Sequence, residues 1–136
     1  MDGVLKDVVV PRIRDMGFRG SLPHFRRIRG DALDLLSVQH FSSGGSLVIE
    51  LGKAPAEGIM YGSRHIPADK LNTTYPVERM RLGSDPTGGR SDHWFVYGRR
   101  SYESTLPAPT RGQMEAVASE IVALLESQAE PWWRAS

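Results

Sequence analysis

A chain of 136 residues with 40% apolar and 24% charged side chains suits one globular domain, and its formal net charge of +1 argues against a dedicated nucleic-acid binder. It contains no cysteine, which excludes disulfides, thiolate metal sites and cysteine nucleophiles and fits a reducing cytoplasm. No run approaches a membrane span of about 20 apolar residues, and Asp2 and Asp7 stand where a signal peptide would be basic.

The charge is uneven along the chain. Residues 1–30 hold seven Lys/Arg against three Asp, and residues 110–136 hold two Arg against four Glu. Such a split is expected if the two ends pack side by side.

Residues 3–16 read as a helix, with Val4, Leu5, Val8, Val9, Ile13 and Met16 at three- and four-residue steps. Pro11 cannot donate a hydrogen bond to the carbonyl of Asp7, so a kink or a restart is expected there. The β-branched run Val8-Val9-Val10 makes a strand the competing reading. Gly17 is a helix stop, at C′. His24–Arg29 reads as a first strand, with Gly30-Asp31 as the turn that follows.

Residues 33–52 read as a β-hairpin around which the rest is organised. Its arms are Leu33–Phe41 and Ser46–Gly52, joined by Ser42-Ser43-Gly44-Gly45. A two-residue turn at Ser43-Gly44 or at Gly44-Gly45 puts Leu36, Val38 and His40 on one face with Leu47, Ile49 and Leu51. The other face carries Leu35, Ser37, Gln39 and Phe41 with Val48 and Glu50, and is mixed. Lys53–Pro76 reads as a long loop with a helical turn at Ala68–Leu71; loops of this length are often functional. Val77–Leu82 and His93–Tyr97 read as two further strands, with a loop over Ser84–Asp92 between them. Thr110–Gln128 reads as a helix opened by a Thr110/Gln113 capping box, and Pro131 is expected to stop any continuation.

No motif compels a chemistry. His24, His40, His65 and His93 lie on four separate segments without metal-ligand spacing, so no metal, cofactor or catalytic residue is assigned. His40 is expected as a core or edge histidine with a backbone partner. His65, beside Arg64 and near Tyr61 in the long loop, is the best exposed candidate. Gln39 and Glu50 share a face with Ser37, and a carboxylate flanked by an amide and a hydroxyl can hold a polar ligand or act as a base. Phe25-Arg26-Arg27-Ile28-Arg29 and Arg99-Arg100-Ser101-Tyr102 mix basic and aromatic residues, as nucleic-acid binders do. In a strand, Arg27 and Arg29 face away from Arg26, which spreads the charge. Trp132-Trp133 either fold back on the domain or anchor a partner.

Three stretches together carry a resemblance. They are Val10-Pro11-Arg12-Ile13-Arg14-Asp15-Met16-Gly17-Phe18 with Phe25-Arg26-Arg27; Leu35-Leu36-Ser37-Val38-Gln39 with Ser42 and the Leu47–Gly52 strand; and Arg79-Met80-Arg81-Leu82-Gly83 with Trp94-Phe95. In this order they resemble the bacterial family catalogued as domain of unknown function 4304. The resemblance implies a small intracellular α+β domain and supports the kinked helix at Pro11, and it adds no mechanism. Trp94-Phe95 stands where that family often has two tryptophans.

The expected architecture is a two-layer α+β fold in a single domain over residues 1–136. An antiparallel meander of about five strands would pack against the N- and C-terminal helices, both on the Leu36/Val38/Leu47/Ile49 face. The leading functional expectation is a non-enzymatic binding or interaction module, with an unidentified protein partner or a second copy of itself. The alternative is a small-ligand-binding protein or hydrolase-like enzyme with a pocket near Glu50, Gln39 and His65. Weak nucleic-acid binding ranks third.

Overall fold

The computed structural model describes residues 1–85, 89, 92–99, 102 and 105–135. The N-terminal helix runs over residues 2–15 without a break. Asp2–Val4 is α-helical, Leu5–Val9 is a π turn, and Val10–Asp15 is α-helical again. In the π turn the Val10 N–H donates to the carbonyl of Leu5. The widened turn sits directly ahead of Pro11, where the ladder lacks a donor, so the helix passes the proline instead of restarting. The valine run is therefore helical, and Val9 and Val10 join Val4, Leu5 and Ile13 on the buried face. Gly17 ends the helix at φ +97°; the Gly17 N–H donates to Arg14 and the Phe18 N–H to Ile13. That pair of bonds is the Schellman closure expected at C′.

The chain then forms β1 (Arg19–Ser21), β2 (His24–Arg29), β3 (Ala32–His40) and β4 (Ser46–Pro55), an antiparallel meander. Val38 pairs directly with Ile49 and Leu36 with Leu51, so the expected apolar face is the one that forms. The register is the one a Ser43-Gly44 turn would set. The loop itself takes four residues, because Phe41 N–H still donates to Ser46 and Gly44 and Gly45 both adopt positive φ. β7 (Glu78–Arg81) and β8 (Phe95–Val96) both pair with β4, completing a six-stranded sheet. The two strands of a second small sheet, β5 (Ile59–Tyr61) and β6 (Arg64–Ile66), precede β7 in the chain. The sixth strand of the main sheet is β1, three exposed residues with no apolar alternation to mark them. The loop expected over 53–76 contains the β5–β6 hairpin and, at Ala68–Lys70, the expected helical turn. Much of the loop expected over Ser84–Asp92 falls outside the described residues.

The C-terminal helix spans residues 111–134, beginning at the reciprocal Thr110/Gln113 cap. Pro131 does not stop it. A second π turn, Leu125–Ala129, precedes the final segment Glu130–Arg134, so this proline is accommodated as Pro11 is. Both helices pack on one sheet face, where Leu5, Val9 and Ile13 meet Leu36, Leu47, Ile49 and Leu51, with Ile121, Leu125 and Trp133 in the same core. The opposite charges of the two ends meet: Arg12 pairs with Glu126, Arg27 with Glu130 and Arg111 with Asp7.

The other sheet face is half covered. Residues 66–77 cross it as a strap, with Ile66 and Leu71 buried against Leu33 and Leu35. Gly52 lets the strap lie close: a Cβ there would stand 3.3 Å from side-chain atoms of both Thr73 and Val77 and 3.1 Å from Leu35. Among the described residues no helix is long and apolar enough to cross a membrane.

Candidate functional site

Strand registers bring one row of polar residues across the strapped face. His24 stands opposite Ser37, Ser37 opposite Glu50, and Glu50 opposite Arg81, on four neighbouring strands. Side chains directly opposite in antiparallel strands lie close enough to bond. His24 Nδ1 lies 2.7 Å from Ser37 Oγ, and Arg81 Nε donates to Glu50 Oε2 at 3.0 Å. Arg81 also pairs with Asp92, whose other oxygen accepts from Trp94 Nε1 at 3.3 Å. The Arg81 guanidinium lies 5.6 Å from the centre of the Trp94 ring, and Phe41 meets that ring edge-on. Partial desolvation lowers the pKa of the exposed His24 from its ordinary 6.5, which favours the neutral ring.

The row floors a cavity of about 490 Å³, whose rim adds Gln39, Thr73, Thr74 and Arg79. Arg79 donates from Nη1 to the Thr73 carbonyl at 3.0 Å and has no carboxylate partner among the described residues. A guanidinium carries five N–H donors, so most of its fork is available to a ligand. Glu50 and Asp92 are both engaged by Arg81. The Arg81–Glu50–Asp92 cluster keeps one negative charge, and Arg79 is a cavity-lining cation that no carboxylate engages among the described residues.

The sequence candidates divide. Gln39 and Glu50 line this cavity, Gln39 exposed and Glu50 partly buried. They are diagonal, since Gln39 stands opposite Val48. Tyr61, Arg64 and His65 belong to the β5–β6 hairpin and line no part of the cavity. Tyr61 packs edge-on against Tyr75, and His65 Nε2 bonds the Glu57 carbonyl at 2.7 Å. His40 is exposed and pairs with the Asp2 carboxylate at 2.8 Å, not with a backbone group. Trp133 folds back and is buried; Trp132 is half-buried under Lys53, whose Nζ lies 4.2 Å from its ring centre. Arg27 is buried and Arg29 half-buried, and both enter an ion network beneath the C-terminal helix. Of the Arg99–Tyr102 stretch, Arg100 and Ser101 lie outside the described residues.

His24, Thr73, Thr74, Arg79 and Arg81 were not singled out as ligand residues from sequence. Arg79 and Arg81 alternate with Glu78 and Met80, a strand signal that does announce a shared face. The other three become neighbours only through strand register and the strap.

Fold and cavity define the class: an α+β domain with helices behind one sheet face and a polar, strap-edged cavity on the other. Within that class the chain belongs to the family described as a domain of unknown function (DUF4304), which matches residues 9–135 and so takes in every cavity residue. No curated protein and no solved structure matches it.

Proposed function

We propose that this protein is a non-enzymatic binding module whose cavity takes the carboxylate of a small polar ligand. The observation that carries this reading is Arg79, a cation without a carboxylate partner at the rim of a 490 Å³ cavity otherwise lined by neutral or paired polar groups. An arginine fork and a carboxylate form two parallel charge-assisted bonds. Gln39, Thr74 and the His24–Ser37 pair supply further donors and acceptors. A cytoplasmic, bacterial setting is part of the proposal and rests on the family resemblance.

A second reading, hydrolysis, is favoured by the 2.7 Å contact between His24 Nδ1 and Ser37 Oγ, a base beside a nucleophile. Ser37 is only 5% exposed, and no carboxylate orients His24 among the described residues.

Thermal-shift and calorimetric titrations with acetate, succinate and citrate test the first reading. At least one should stabilise the protein, and Arg79→Gln should weaken its binding about tenfold or more. Ser37→Ala separates the two readings, since binding should survive it and hydrolysis should not. No stabilisation by any of the three, or equal binding by Arg79→Gln, would count against the carboxylate site.

A further inference from the structure

We propose that Arg19 and Arg26 form a second ligand site, for the phosphoryl group of a small molecule, on the far side of the strap. The two arginines stand directly opposite each other in the β1–β2 pair. Like charges so placed repel and weaken the sheet. Six other arginines, Arg12, Arg27, Arg29, Arg81, Arg111 and Arg134, each hold a carboxylate, and Arg14 and Arg79 donate to backbone carbonyls. The Arg19 and Arg26 side chains hold no carboxylate and make no hydrogen bond among the described residues.

They border a cavity of about 700 Å³, a volume suited to a small-molecule ligand. Its lining also includes Ile28, Glu57, Pro67 and Asp69. The ligand chemistry follows from the walls. Two guanidinium forks on strands about 4.8 Å apart can share a tetrahedral dianion, whereas one fork already saturates a carboxylate. Ile28, 58% exposed, supplies an apolar floor. Glu57 and Asp69 would repel a run of phosphates but accept hydrogen bonds from a head group rich in N–H donors. The site therefore fits a compact phosphate monoester with such a head, and adenosine monophosphate is a suitable probe.

The site is independent of Arg79, and its test keeps the two apart. Wild type, Arg19→Gln, Arg26→Gln and Arg79→Gln are titrated with inorganic phosphate and with adenosine monophosphate, against chloride at equal ionic strength. Phosphate should raise the Tm of wild type and of Arg79→Gln, and chloride should not. Arg19→Gln and Arg26→Gln should each bind about tenfold more weakly or worse. Their Tm in chloride should stay level or rise, because a repulsion is removed, so weak binding is not misread as misfolding. Tighter binding of adenosine monophosphate than of phosphate supports the full ligand; equal binding supports the phosphoryl site with the free ion as its source. Equal stabilisation by chloride, or undiminished phosphate binding in both arginine variants, would overturn the proposal.

Discussion

Replacing Asp34 with alanine should cost about 3–5 kcal/mol of folding stability, because it takes from Arg29 its carboxylate partner and from the buried Arg27 one of its two. Asp34 is 1% exposed and Arg27 6%. Asp34 Oδ2 accepts from Arg27 Nε at 2.8 Å and from Arg29 Nε at 2.5 Å, and its Oδ1 accepts from Arg29 Nη2 at 3.0 Å. Arg27 goes on to Glu130 by two bonds of 2.9 Å and to the Met16 carbonyl at 3.0 Å. Arg29 reaches the Trp133 carbonyl at 2.9 Å. One carboxylate on β3 thus fixes two arginines that hold the end of each helix. Burial pushes the Glu130 carboxyl upward, but bonds from Arg27 and Arg134 outweigh it and hold the group below its usual range. Urea unfolding followed by tryptophan fluorescence measures the loss. A cost under about 1 kcal/mol, the size seen for a surface ion pair, would mean that water reaches the network.

Trp133→Ala should also cost about 3–5 kcal/mol, and Trp132→Ala much less. The Trp133 ring lies 4.8 Å from that of Phe18, centre to centre, and 5.4 Å from the Arg27 guanidinium. Its Nε1 donates to the Gly52 carbonyl at 3.1 Å, fastening the last turn of the C-terminal helix to β4. Trp133→Phe keeps much of the packing and loses that bond, for about 1 kcal/mol beyond the lost ring volume. Trp132 is half-buried and its contact with Lys53 is a cation–π pair of about 0.5–1 kcal/mol. Equilibrium unfolding of the three variants checks the order. Equal costs for the two alanine variants would show that Trp133 is not the anchor.

The parts of this fold legible in the sequence are those written in local periodicity. Leu36 and Val38 alternate against Leu47 and Ile49, which named the helix-bearing face before any pairing was seen. Thr110 with Gln113, and Gly17 after a helical run, marked helix ends through backbone hydrogen bonding that needs no distant partner. What was hidden depended on short or long-range features. Arg19-Gly20-Ser21 is too short and polar to announce a strand. The β5–β6 hairpin has three-residue arms and hides among prolines and glycines. Pro131 misled because a π turn one step earlier removes the need for its missing donor. The site was harder still. Glu50, Gln39 and Ser37 share a readable alternation, but His24 and Arg81 join them only when four strands take up register. Arg27 misled in a different way: it looks like a surface charge until Asp34 and Glu130 are brought to it.

The central claim is that the sheet has two unlike faces, one sealed by the helices and one holding a polar cavity. A ¹⁵N–¹H correlation spectrum recorded during succinate titration tests it most directly. The account predicts shifts at Ser37, Gln39, Glu50, Thr73, Thr74 and Arg79, with Ile13, Ala118 and Ile121 unmoved. Shifts centred on those three helix residues, or saturable binding that leaves the cavity residues unmoved, would contradict it.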